Sequence, residues 1–139
     1  VSGCVFCDII ARERPAAFVL DEANVVAFLD SRPLMKGHVL LMPRAHVETL
    51  LELPEAGGAA LLAAARRLVP ALAAAVGAEG AFIAINHRVS QSVPHLHVHV
   101  VPRRKGDGLR GFFWPRTKYE SEDEAADLAR RIAAALPAG

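Results

Sequence analysis

Cysteine, tryptophan and tyrosine are nearly missing from this chain of 139 residues, which holds two, one and one of them. Two cysteines close at most one bridge, so no disulfide framework carries the fold; a chain of this length can bury a core without one. An excess of one charge is also missing. Sixteen Lys and Arg stand against 15 Asp and Glu, a formal +1, so bulk electrostatics leave no nucleic-acid footprint. No apolar run approaches the ~20 residues that span a bilayer. The opening Val1-Ser2-Gly3-Cys4 has no basic stretch followed by an apolar one, and so does not read as a signal peptide. These absences predict one soluble domain over 1–139, in the cytoplasm, with neither a membrane nor nucleic acid as partner.

What is present is 53% hydrophobic and 22% charged, a globular rather than a disordered balance. Much of the apolar share is alanine. Two short apolar runs, Ala17–Asp21 and Asn24–Asp30, predict a hairpin. A Pro- and Gly-bearing loop over 31–37 follows, then a third strand, His38–Pro43, ended by its proline. The alanine- and leucine-rich stretch 55–76 predicts a long helix starting at Pro54 and ending at Gly77, with Pro70 expected to kink or break it. Ala81–Asn86 and His95–Pro102 are the fourth and fifth strands. A last helix spans roughly Ser121–Leu136, with Ser121 and Glu124 as a capping box. This order predicts an α+β fold: an antiparallel sheet of about five strands with one long helix and a C-terminal helix.

Chemistry concentrates at His95-Leu96-His97-Val98-His99-Val100-Val101. Side chains alternate faces along a strand, so three imidazoles share one face at roughly 6–7 Å spacing while Leu96, Val98 and Val100 turn to the core. A histidine-rich surface strand would look the same. So would a hydrolytic metal site, because His-x-His on a strand can supply two ligands to zinc. The third reading is covalent catalysis, with one histidine attacking phosphorus. The pair Cys4-x-x-Cys7, in a reducing compartment, suggests metal binding or redox chemistry.

The ordered set of motifs resembles the histidine triad (HIT) family over roughly residues 4–105, with a loop and helix at 106–136 beyond it. His95-Leu-His-Val-His-Val-Val101 resembles the triad signature, in which histidines alternate with apolar residues. Cys4-Val-Phe-Cys7-Asp-Ile-Ile10 resembles the family's opening. Val26–Asp30, Gly37–Pro43 and His46 resemble its nucleotide-binding half, and Gln91-Ser92 is typical just before the triad. The resemblance implies a HIT-like fold and an enzyme that hydrolyses or transfers nucleoside monophosphates, cleaving at the α-phosphate of a nucleoside phosphoramidate or dinucleoside polyphosphate. His97 is the implied nucleophile, forming a nucleotidyl-histidine that water resolves. His99 and Ser92 would hydrogen-bond the phosphate or leaving group, Gln91 would donate there too, and His38 would support the triad. Asp30 would accept the ribose hydroxyls and Phe28 would wall a purine pocket, adenine being expected. Asp30 is equally a turn cap, and Phe28 equally a core aromatic.

The same resemblance implies a structural zinc on Cys4, Cys7, His46 and His95, two sulfurs and two imidazoles in a closed tetrahedral set. It implies a homodimer as well, for which the small side chains of helix 55–76 are suited. The stretch Asn86-His-Arg-Val-Ser-Gln91 departs from the pattern. It is shorter and lacks the glycines that many relatives carry there, so the match of Asn86 to a phosphate-binding asparagine is loose. Residues 103–116 mix arginines with aromatics, including Trp114. They are read as a loop that packs its aromatics and touches substrate. The competing readings are a nucleotide-binding, zinc-stabilised interaction module with little catalysis, and a metallohydrolase with the triad on zinc.

Overall fold

The computed structural model describes residues 3–109 and 115–139. The elements run α1 (Val5–Ile10), β1 (Phe18–Asp21), β2 (Val25–Leu29), β3 (Val39–Pro43), α2 (Glu55–Val76), β4 (Gly80–Ala84), β5 (Val98–Arg103) and α3 (Glu122–Ala135). The strands form one antiparallel sheet in the order β1-β2-β3-β5-β4. This is the expected α+β architecture. The chain divides into two compact units, Val1–Asp107 with the sheet and α2, and Gly108–Gly139 with α3. Arg110–Trp114, the centre of the basic-aromatic stretch, lie outside the described residues.

Each inner strand buries both faces, because the sheet is covered twice. Val25 and Ala27, Val39 and Leu41, and Val98 and Val100 meet Leu61, Ala64, Ala65, Leu68 and Leu72 of α2. The alternate residues Val26, Phe28, Leu40 and Met42 meet Cys4 and Phe6 around α1 on the other side. Each fully buried Val or Leu contributes about 1.5–3 kcal/mol, so both coverings hold the sheet. The pairing is in register across it: Phe28 stands opposite Leu40, Leu40 opposite His99, and His99 opposite Ala84. One transverse row therefore carries an aromatic, an aliphatic and a histidine on the α1 side.

Three expectations change. Helix α2 runs unbroken through Pro70. The ring is exposed, as is Arg66, so the carbonyl that loses the Pro70 N–H partner is on the solvent side of the helix, where such a loss costs least. Second, by length and composition the 22 residues of α2 would suffice to cross a bilayer, contrary to the expectation that no run approaches that length. Five of its side chains pack on the sheet and Arg66-Arg67 interrupt its middle, so here it is the core helix. Third, the β5 ladder begins at Val98, not His95. Pro43 ends β3 and has no N–H to extend pairing. The chain before Val98 instead bonds beyond it, with Leu96 N donating to Val47 O at 2.8 Å.

The unit 108–139 has its own local order. Ser121 Oγ accepts from Glu124 N at 3.1 Å, as the capping box requires, and α3 buries none of its residues.

Candidate active site and metal centre

The short helix α1 was not foreseen, and it reshapes the histidine face. Val5, Phe6, Ile9 and Ile10 put an apolar stripe on the sheet, while Cys4 caps the helix by accepting from Cys7 N at 3.4 Å. His95 is 0% exposed and His97 6%. These imidazoles are therefore not on an open surface strand; α1 roofs them. The signal was in the sequence: Val5-Phe6 and Ile9-Ile10 repeat at helical spacing beneath the cysteines.

Cys4, Cys7, His46 and His95 converge, with ligand atoms all within 4.8 Å of one another. His95 Nδ1 is 3.6 Å from both Cys4 Sγ and Cys7 Sγ, and His46 Nδ1 is 3.3 Å from Cys7 Sγ. A tetrahedral zinc with ordinary bond lengths would separate sulfur and nitrogen ligands by about 3.6 Å. The group thus has the shape of a four-ligand site. His95 Nε2 lies 2.9 Å from Pro43 O; as the donor there it leaves Nδ1 bare toward the sulfurs, the arrangement that metal-binding histidines favour. Burial lowers the affinity of His95 for a proton and raises the Cys7 thiol.

His97 is not one of that group but lines the neighbouring cleft. Its Nδ1 lies 2.7 Å from His95 O. A carbonyl only accepts, so Nδ1 carries the proton and Nε2 holds a lone pair. Burial, partly opposed by that hydrogen bond and by Asp30, keeps the ring neutral by lowering its pKa. His99 has the opposite tautomer. Leu34 N donates to His38 Nδ1 at 3.1 Å, so His38 Nε2–H donates to His99 Nδ1 at 2.9 Å, and the His99 proton sits on Nε2. Burial, with His97 and His38 adding to it, pushes the His99 pKa down to about 4. The site therefore pairs one unprotonated ring nitrogen, on His97, with one N–H donor, on His99. Their ring centroids are 5.0 Å apart.

Both rings line a cleft of about 670 Å³ together with Phe28, Asp30, Ser92 and the α1 residues Val5, Phe6 and Ile9. That is a volume ordinary for small-molecule sites. Asp30 is a turn cap as well as a wall residue: Oδ1 accepts from Arg32 N at 2.9 Å, and Oδ2 lies 3.8 Å from His38 Nδ1. His38 stands buried behind His99. Gln91 and Asn86 are not among the cleft residues. The Gln91 amide donates to Glu48 O at 2.7 Å and accepts from Arg88 N at 3.0 Å, tying two loops together beside Ser92. In that glycine-free loop Arg88 and Ser90 take φ of 65° and 64°, the left-handed backbone that glycine adopts without strain.

Asp30, His38 and His99 also cluster within 4.8 Å. Their inward nitrogens already face each other or Leu34 N, which leaves a catalytic metal few donors there.

A HIT domain model matches residues 11–106, and the chain belongs to the HIT family. A crystal structure of a HIT family member from Bacillus subtilis superposes with a TM-score of 0.87 at 29% identity, covering 99% of this chain and 100% of that one. A zinc-bound histidine triad family protein from Mycobacterium smegmatis matches at 35% identity and a TM-score of 0.74, over 95% of this chain and 97% of the other. Adenosine 5'-monophosphoramidase hnt1 of Schizosaccharomyces pombe (strain 972) is 31% identical over 123 residues, 87% of this chain and 90% of the relative.

Proposed function

We propose that this protein is a nucleotide hydrolase or nucleotidyl transferase that cleaves at an α-phosphate, on a nucleoside phosphoramidate or a dinucleoside polyphosphate, with His97 as nucleophile. The observation that carries the reading is the 2.7 Å contact of His97 Nδ1 with the His95 carbonyl. It leaves Nε2 unprotonated beside the cleft, in a ring that burial keeps neutral, and a neutral imidazole is a competent nucleophile.

In the first step His97 Nε2 forms a bond to phosphorus, and the P–N or P–O bond to the leaving group breaks. The substituted ring becomes cationic, with its Nδ1–H still on the His95 carbonyl, which stabilises that charge. His99 Nε2–H is a donor for phosphate oxygen or the departing group, and the Ser92 hydroxyl is a second. In the next step water attacks phosphorus and the Nε2–phosphorus bond breaks. A proton of that water makes good the one the leaving group took up, the nucleoside monophosphate departs, and His97 returns to the neutral state; an acceptor other than water makes the reaction a transfer. Phe28 walls the base pocket, with adenine the expected base, and Asp30 Oδ2 accepts from ribose. The phosphoramidase activity in the name of the fission-yeast relative supports this substrate class.

Cys4, Cys7, His46 and His95 would hold a structural zinc, supported by their sulfur–nitrogen spacing and by the zinc of the mycobacterial relative. Thiol ligands suit a reducing cytoplasm. A second copy would cover β4. That edge strand exposes Ile83, and with Leu50, Leu62 and the rest of an apolar groove of about 350 Å³ against α2 it offers a surface that can meet its own copy about a two-fold axis.

The direct test is release of AMP from adenosine phosphoramidate and from diadenosine triphosphate. Wild type should release it and His97→Ala should not, while the variant still binds AMP. Undiminished turnover in His97→Ala ends the mechanism.

A further inference from the structure

Phe6 is neither one of the four clustered ligands nor one of the reacting histidines, yet it touches both groups. Its ring meets His97 edge to face, with centroids 5.0 Å apart and planes at 89°. It meets His95 at 6.0 Å and 68°, and Phe28 at 5.5 Å and 76°. It is 6% exposed and lies between Cys4 and Cys7 on α1. Two separate ties therefore run from the Cys4–Cys7–His46–His95 group to His97. One passes through the backbone, because the carbonyl of His95 holds His97 Nδ1. The other passes through the helix and the Phe6 ring.

The geometry points to Phe6 as a positioning residue: by docking α1 on the cysteine–histidine group, it sets the ring plane of His97 and so the aim and tautomer of Nε2. A histidine ring turns about a broad, roughly two-fold torsion. Flipping it would take Nδ1 from its carbonyl and re-aim Nε2. The hydrogen bond alone holds one point of the ring, and the ring can tilt about it. The flat edge of Phe6 on one side and the His99 ring on another, centroids 5.0 Å away, close off that tilt. A branched aliphatic side chain stays apolar and fills most of the space without offering a flat contact. Zinc, when bound, supplies only the closure that holds Cys4 and Cys7 against His46 and His95. The consequences for His97 are worked by the His95 carbonyl and by α1 with Phe6.

The inference rests on the reading of His97 as nucleophile, and its test separates the two. Zinc-loaded wild type and Phe6→Leu are labelled with nitrogen-15 histidine and compared by NMR near neutral pH. The wild type should show His97 in a single form protonated at Nδ1. Phe6→Leu, with zinc content retained, should show a mixture of His97 forms and a kcat roughly tenfold lower, the scale expected when a reacting group loses its alignment. If Phe6→Leu does not fold, Phe6→Met is measured in its place. A role limited to contact with the base would raise KM and leave the His97 signals as in wild type; that result overturns the inference. Failure of the wild type to release AMP would instead overturn the nucleophile reading, while the His97 spectrum still reports whether Phe6 positions the ring.

Discussion

Acidification should destabilise this protein by a predictable amount, and His99 is the place to measure it. Its pKa falls from 6.5 to about 4 because the ring is buried beside His97 and His38. Between those values the unfolded chain binds a proton that the folded chain refuses. Stability therefore rises with pH across this window and is lost as pH falls through it. Two such pKa values give a loss of about 2 kcal/mol on going from about pH 7 to about pH 5. For a domain whose whole stability is about 5–15 kcal/mol, that is a sizeable share. Urea unfolding at a series of pH values reads it directly, as a fall in midpoint of about 1 M. His38, His95 and His97 shift in the same direction through burial, so the contribution of His99 must be isolated by difference. His99→Gln keeps a polar side chain but cannot titrate. Its stability should fall less steeply over the same range, by about 2 kcal/mol. Parallel curves for the two proteins would mean that His99 titrates alike in the folded and unfolded chain, which refutes the effect of its burial.

Removal of one sulfur should empty the cysteine–histidine group. Cys7→Ser is expected to bring zinc from about one per chain to near zero by elemental analysis, with a lower melting temperature; a Cys7→Ser protein that keeps full zinc would refute the ligand set. At the sheet edge, Ile83→Lys places a charge on β4, where a second copy would pair. Sedimentation should show two chains in wild type and one in the variant, and a single-chain wild type would dismiss the dimer. Ser90→Gly removes the strain of φ 64°. The relief of about 1–2 kcal/mol exceeds the roughly 0.5–1 kcal/mol that glycine adds to the entropy cost of folding, so a modest gain in melting temperature is expected, and a clear loss would mean that the Ser90 side chain holds the loop.

Short apolar runs located β2 and β3, alternation located β5, and the leucines of α2 located the long helix, because each reports burial directly. It also placed Leu96, Val98 and Val100 on the opposite side from the histidines, as found. It missed α1, whose six residues are too few for propensity to stand out against the cysteine motif that covers them. It carried β5 back to His95 because alternation says nothing about whether a partner strand is there to pair. Pro43 decides that from 52 positions away in the chain. Hydrogen-bond direction was beyond reach as well. No spacing reveals that the carbonyl of His95 accepts a hydrogen bond from His97 Nδ1, or that a backbone N–H at Leu34 orders the His38–His99 pair. Gln91 could be read as a motif residue, but its grip on Glu48 O is a contact between loops that only the fold brings together.

The row from Phe28 through Leu40 to His99 and the carbonyl of Pro43 belong to the same strand pairing, one on the face of the sheet and the other at its end. A single inserted residue between Leu40 and Pro43 would break the link between them: if the Pro43 carbonyl stays on His95, Leu40 turns toward α2, and if Leu40 stays opposite His99, the Pro43 carbonyl is drawn away from His95. The floor of the cleft and the anchor of the cysteine–histidine group are therefore inherited together. β3 can change its side chains only while keeping its count.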